Sequence, residues 1–236
     1  MEPFDIFMPT YNSAELLPIV IPQIEKVIPR EAIHNKFIVD DFSTDNTCAV
    51  AKSLGWTVYR NKTKGLCNSH RLGFSLIKTG YCALFEHDIF LAENWYPTIP
   101  NMVTSGKYDV AQGIQIRNLK GFREVDLYDY NHRNIKSEDN TFYRIRNVPD
   151  QMEIKGRKYC IRKDVVSTHI RKGTLKSAKH GYYVTKLHGP VTSKLKLLII
   201  LLHSPLLSLA IYRKYKEPAT LYCYPLERLY TFIGGL

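Results

Sequence analysis

Four short apolar runs punctuate the first ninety residues, separated by longer polar or helix-compatible segments. FDIFM at 4–8 stops at Pro9, FIV at 37–39 runs into a pair of carboxylates, and WTVY at 56–59 and YCALF at 81–85 complete the set. Runs of this length, rich in β-branched and aromatic residues, predict strands. Residues 14–28 are apolar at Leu16, Leu17, Ile19, Val20, Ile24, Val27 and Ile28, which predicts a helix that starts late or bends because of Pro18 and Pro22. A second helix is predicted over 46–54, with Ser43, Thr44 or Asp45 as its N-cap and Gly55 as its stop. The order βαβαβαβ predicts an α/β fold built on a mostly parallel central sheet with helices on both faces.

Beyond residue 100 the pattern loosens. DVAQGIQI at 109–116 predicts a further strand, and RKYCIRKDVV at 157–166 and GYYVTKLHG at 181–189 restore strand-like alternation. Between them lies a long polar span, NLKGFREVDLYDYNHRNIKSEDNTFYRIRN, without a clear period, which reads as a mobile loop or a contact surface. With no internal repeat or low-complexity linker, one domain over 1–190, in two parts at 1–115 and 116–190, is the simpler organisation.

Residues 191–236 form an apolar and basic tail. Its run from Leu197 to Tyr212 has 16 residues and is interrupted by His203, Ser204 and Pro205, whereas a spanning helix needs about 20. Ser204 and Pro205 read as the N-cap and first residue of a new helix, so two short amphipathic helices are expected. Lys194, Lys196, Arg213, Lys214 and Lys216 flank the apolar centre, as expected of helices lying on an anionic membrane surface. The alternative is that they pack on the domain.

Charge sharpens this picture. Residues 1–100 hold 9 basic against 11 acidic side chains, a balance of −2, while residues 101–236 hold 24 against 11, a balance of +13. The second half therefore faces something anionic. A nucleic acid is not expected, because no motif for one is present. The five scattered cysteines, never in a CxxC pair, indicate neither a disulfide framework nor a zinc site and fit a reducing compartment. MEPFDIFMPTYN lacks a basic start and carries Glu2 and Asp5, so export is not expected. Together these place the chain in the cytoplasm, peripheral on the inner face of a membrane.

In open parallel sheets the ligand crevice lies beyond the carboxyl ends of the strands. Polar clusters gather there: Thr10, Tyr11 and Asn12 after the first strand, Asp40 and Asp41 after the second, and Glu86, His87 and Asp88 after the fourth. Adjacent buried carboxylates such as Asp40 and Asp41 need a cation or hydrogen-bond donors. In an extended FEHD segment, Glu86 and Asp88 point to the same side, which suits a hard divalent cation, Mg²⁺ or Mn²⁺, that keeps open positions for phosphate oxygens.

The order PTYN (9–12), VDDFSTDNT (39–47), the basic segment KGLCNSHRLG (64–73) and FEHD (85–88) resembles family 2 glycosyltransferases of the GT-A fold. The resemblance covers the first 115 residues well and the rest thinly. It implies a donor that is a nucleoside-diphosphate sugar of UDP or GDP type, bound by residues 1–115, an acceptor bound by 116–190, and transfer with inversion. It further implies that Thr10, Tyr11 and Asn12 line the nucleotide pocket, that Asp40 contacts the base with Asp41 near the same nucleoside, that Asp88 ligates the metal, and that Glu86 supports the ribose or the metal's water shell. Asp45 would be a helix cap. His188 stands where several such enzymes place a metal- or diphosphate-contacting histidine.

Three departures qualify the resemblance. The family's R-N-x-G is His70, Arg71, Leu72, Gly73 here, and its first acidic-motif Asp is Glu86. The E-D pair that supplies the general base in many inverting members has no counterpart in HIRKGTLKSAKH, upstream of GYYV. Asp150 and Glu153 are the remaining candidates for that base. With the tail, the expected acceptor is a lipid-linked or other membrane-proximal glycan hydroxyl or phosphate. The alternatives are a nucleotidyltransferase, against which the first loop PTYNSAELLP lacks glycine and basic residues, and a non-catalytic basic adaptor that binds membranes or polyanions.

Overall fold

The computed structural model describes residues 1–119, 122–125, 140–147, 151, 156–171, 182, 185, 193–215 and 220–236. The chain divides into two compact units, the first formed by Met1–Gln115 with Leu127–Thr168 and the second by Ile116–Asp126 with His169–Leu236.

In the first unit, β1 (Phe4–Thr10), β2 (Ile33–Asp40), β3 (Thr57–Arg60) and β4 (Tyr81–Phe85) are parallel neighbours in the order β3-β2-β1-β4. Between them run α1 (Leu17–Val27), α2 (Thr47–Ser53) and α3 (Leu66–Ser75), which is the predicted βαβαβαβ order. β1 is central and all seven of its residues are buried. Phe4, Ile6 and Met8 point to one face, where they meet α1 and α4 (Trp95–Thr104) through Leu17, Ile24, Trp95 and Ile99. Phe7 points to the other, where it meets Phe37, Val39 and the Phe74 of α3. Burying each such side chain contributes about 1.5–3 kcal/mol, so β1 anchors both layers. On that second face, a Cβ at Gly73 would stand 2.3 Å from the Phe7 ring; only glycine lets α3 seat this closely on β1.

Pro9 does not end β1. The Thr10 carbonyl accepts from the Asp41 N–H on the β2 side, so strand alternation turns the Pro9 nitrogen toward β4. The β4 ladder covers only Asp5, Ile6 and Phe7, and the missing N–H interrupts no pairing.

The parallel block continues into antiparallel strands that the sequence conceals. β8 (Asn140–Arg144) pairs antiparallel with β4, and β6 (Val110–Leu119) pairs antiparallel with β8. β9 (Tyr159–Arg171) and the two-residue β5 (Ile89–Phe90) complete the sheet. β8 comes from NTFYR, inside the polar span expected to be a loop. Asn140 and Thr141 are buried in it: the Asn140 carboxamide oxygen accepts from the Gly113 N–H at 2.8 Å, and its backbone carbonyl accepts from the Trp95 indole at 3.0 Å.

In the second unit, β7 (Phe122–Val125) pairs antiparallel with Ile116–Leu119 of β6. Two helices, α5 (Lys194–Tyr215) and α6 (Thr220–Gly234), pack together. Two expectations are corrected here. Of GYYVTKLHG only Tyr182 and Thr185 are described, and both are helical, not extended. The tail forms one 22-residue helix with Pro205 inside it, not two short helices divided at Ser204. Pro205 cannot donate to the Leu201 carbonyl, and the Ser204 hydroxyl donates to that oxygen instead, at 2.6 Å, so the helix continues across the proline.

Candidate active site

The carboxyl edge of the parallel block is formed where β1, β2 and β4 end. A lattice of hydrogen bonds stitches the loops after β1 and β2. The Asn12 N–H donates to Ser43 Oγ at 2.9 Å, and the Thr44 N–H donates to Asn12 Oδ1 at 2.8 Å. The Ser13 N–H donates to Thr47 Oγ1 at 2.7 Å and the Ala14 N–H to Asp45 Oδ2 at 3.1 Å. Asn12 has φ +48° and Phe42 φ +63°, left-handed conformations that the reciprocal bonds hold in place. Asn12 is thus a clamp between two loops, its amide oxygen occupied by Thr44.

Asp45 performs the capping expected of it, with a shift of position. The residue bounding α2 is Asn46, which makes no side-chain cap, while Asp45 Oδ1 accepts from the Thr47 N–H at 3.0 Å and the Thr47 hydroxyl at 2.5 Å. Burial works to raise its pKa, but the bonds from Thr47 and Ala14 prevail and hold the carboxyl below its ordinary value.

Asp40 and Asp41 part company despite their adjacency. Asp41 Oδ1 accepts from the Gly65 N–H at 2.8 Å and from Asn61 Nδ2 at 3.1 Å, so it braces the loop between β3 and α3. That loop carries Lys64, whose ammonium lies 4.9 Å from the centre of the exposed Tyr11 ring. Asp40 is fully buried. Its Oδ2 accepts from the Ser43 N–H at 3.3 Å and lies 3.7 Å from the Arg60 guanidinium. Its Oδ1 is buried without a hydrogen-bond partner, and so is the hydroxyl of Thr10, the residue that faces Asp40 in the β1–β2 register. An unsatisfied buried acceptor costs about 1–3 kcal/mol, more when charged. The two residues are register neighbours at the carboxyl edge, and there the carboxylate oxygen can accept while the hydroxyl can donate or accept. Beside Asp40 the Cys48 thiol is pushed up in pKa by burial and by Asp40, against the opposing pull of Arg60.

Glu86 and Asp88 follow β4 on the same edge, in a different backbone from the one expected. β4 ends at Phe85, and residues 86–88 turn, closed by the Ile89 N–H donating to the Glu86 carbonyl at 3.2 Å. The extended-strand argument for their sharing a side therefore does not apply; the two residues stand in one turn at this edge. Among the described residues, no three or more His, Cys, Asp or Glu side chains gather tightly enough to hold a metal alone. Two half-buried carboxylates remain a hard-oxygen donor set of the kind Mg²⁺ and Mn²⁺ accept when phosphate oxygens and water supply the rest. Asp150, Glu153 and His188 lie outside the described residues.

The basic segment 64–73 is the loop and first turns of α3, in which His70 is buried and Arg71 exposed. The Gly73 of its HRLG is explained by contact with Phe7. Sequence reasoning missed Arg60 beside Asp40, although a basic residue directly after the predicted strand WTVY, on the ligand edge, was a signal that could have found it.

Residues 5–169 match the family described as Glycosyl transferase family 2. Among curated proteins, the low-salt glycan biosynthesis hexosyltransferase Agl6 of Haloferax volcanii is 27% identical over 111 residues, 47% of this chain and 27% of that protein's length. Among solved structures, glucosyl-3-phosphoglycerate synthase from Mycobacterium tuberculosis, in complex with Mn²⁺ and UDP-glucose, aligns with a TM-score of 0.42 at 14% identity, covering 47% of this chain and 43% of that one. The same enzyme with Mg²⁺ and UDP aligns over the same shares, with the same score and identity. The chain matched here spans less than half the length of these relatives. With the family match covering most of the chain and a parallel β3-β2-β1-β4 block extended by antiparallel strands, this protein has the GT-A fold and belongs to glycosyl transferase family 2.

Proposed function

We propose that this chain transfers a sugar, with inversion, from a nucleoside-diphosphate sugar of UDP or GDP type to a hydroxyl or phosphate of a lipid-linked or otherwise membrane-proximal acceptor, working as a peripheral protein on the cytoplasmic face of a membrane. The observation that carries the donor half is the pair of buried, unpartnered atoms at the ends of β1 and β2, Thr10 Oγ1 and Asp40 Oδ1. A nucleobase edge offers an N–H for the carboxylate and a carbonyl for the hydroxyl. Tyr11 gives the nucleoside an exposed aromatic face beside it. Asp41 acts at one remove, by fixing the loop of Gly65 and Lys64, whose ammonium lies within reach of a diphosphate.

Glu86 and Asp88 would hold Mg²⁺ or Mn²⁺, with His188 as a further ligand, and the bound cation supplies stabilisation of the negative charge on the departing diphosphate. The remaining chemistry belongs to the chain. A carboxylate, Asp150 or Glu153, takes the acceptor proton; the acceptor oxygen forms its bond to the anomeric carbon as the bond from that carbon to the diphosphate oxygen breaks. The name of the Haloferax relative, a hexosyltransferase of glycan biosynthesis, supports a hexose as the transferred group.

The test is thermal melting of the full chain with UDP, GDP, CDP and dTDP, each with and without Mn²⁺. Stabilisation by one nucleotide, larger with metal, is the expected result. No response to any of the four overturns the donor assignment and leaves the basic adaptor as the better reading.

A further inference from the structure

Helix α5 turns its apolar side outward. At about 100° per residue, Leu195, Leu198, Ile199, Leu202, Leu206 and Leu209 fall within an arc of about 100°. All six are exposed, Leu202 at 67% and Leu206 at 69%. On the opposite side the buried positions are Leu197, Ser204 and Ser208. Helix α6 repeats the inversion: Glu227 and Arg228 are buried, while Leu221, Tyr222, Leu229 and Ile233 are exposed. A helix pair made for water buries its leucines and shows its serines and charges. The reverse arrangement suits an apolar medium on the outside, and the exposed patch exceeds what scattered surface leucines explain.

Two observations identify the medium. Exposed Lys194 and Lys196 stand in the first turn of α5 and exposed Arg213 near its other end, in the part of the chain with a +13 balance of charge. Among the described residues no helix is long and apolar enough to cross a membrane, so the face lies along a bilayer and does not span it. Positions 195, 199, 202, 206 and 209 also have the four-three spacing of a coiled-coil seam. A second copy, however, would bring a second excess of positive charge against the first, which an anionic bilayer instead attracts.

We propose that the outer face of α5 and α6 docks in the headgroup region of an anionic bilayer, with the leucines among the upper acyl chains, Tyr222 at the interface, and Lys194, Lys196 and Arg213 on lipid phosphates. This holds the chain where a lipid-linked acceptor is presented; that consequence rests on the proposed transfer reaction, whereas the docking itself does not.

The test is flotation of the full chain with phosphatidylcholine vesicles, with and without phosphatidylserine. The chain floats with the anionic vesicles at physiological salt, and high salt partly releases it. Leu202→Glu with Leu206→Glu abolishes flotation without lowering the melting temperature, since both side chains are already in water. Changing Lys194, Lys196 and Arg213 to Gln lowers partitioning about a hundredfold. Wild-type protein that floats with neither vesicle, or a Leu202→Glu/Leu206→Glu variant that floats normally, overturns the proposal. A dimer by light scattering that this variant dissolves, with no vesicle binding, assigns the face to a second copy. Nucleotide-dependent melting is measured on the same samples: failure to float with that response intact sinks the docking alone, and the converse sinks the transferase reading alone.

Discussion

Asp40 carries a fully buried carboxylate one of whose oxygens has no partner, beside a Thr10 hydroxyl in the same condition. The fold tolerates this because β1 and β2 are pinned around it by Asp41, Asn12 and Ser43. If the unsatisfied pair is kept for a ligand, neutralising it should separate stability from binding. Asp40→Asn is expected to leave the melting temperature of the free protein unchanged or raised, since it removes a buried charge. It should weaken nucleotide binding by about 1.5–3 kcal/mol, the range for a lost hydrogen bond to a charged group. Calorimetric titration of the nucleotide that stabilises the wild type, alongside melting of both proteins, decides the matter. A variant that binds normally moves the base-reading role elsewhere, and one that unfolds makes Asp40 a structural carboxylate.

At the scale of elements, α5 depends on a substitution of donors. Pro205 leaves the Leu201 carbonyl without its usual i+4 amide, and the Ser204 hydroxyl occupies that oxygen. Ser204→Ala is therefore expected to cost about 1 kcal/mol in the native background, and close to nothing when Pro205 is also Ala, because the amide then returns. Chemical denaturation of the two single variants and the double variant reads this coupling directly. Equal costs in both backgrounds would mean that the hydroxyl does not repair the helix. The same kind of local compensation explains why reading Ser204 and Pro205 as the start of a new helix failed: the pair is a common initiation signal, and only the geometry shows the serine bonding backward.

Over the whole molecule, the two functions inferred here fall in different parts of the chain. Thr10, Asp40, Asp41, Arg60, Glu86 and Asp88 all belong to the first unit, and α5 and α6 to the second. The charge divides with them: the first unit carries 19 basic against 18 acidic side chains, and the second 14 against 4. A chain ending at residue 192 is accordingly expected to keep a nucleotide-dependent rise in melting temperature while losing vesicle flotation. Loss of the nucleotide response on truncation, with circular dichroism still that of a folded α/β protein, would show that the tail contributes to the donor site.

The sequence by itself determined the parallel half of the fold and the carboxyl edge at which the proposed site stands. Buried parallel strands are continuous apolar runs, helices between them have a period of their own, and the residues that end such strands must be polar. That Thr10, Asp40, Glu86 and Asp88 stand at or just after the ends of parallel strands was therefore legible without coordinates. Tertiary structure decided what pairing and packing decide. β8 was illegible because its Asn140 and Thr141 read as loop residues until Gly113 and Gln112 on the neighbouring strand and the Trp95 indole of α4 bond to them. Adjacency in sequence likewise does not reveal that Asp41 accepts from the Gly65 N–H while the neighbouring Asp40 is buried beside Arg60. The apolar tail was visible as composition, but which of its leucines face outward depends on what α5 packs against, and that is a property of the folded chain alone.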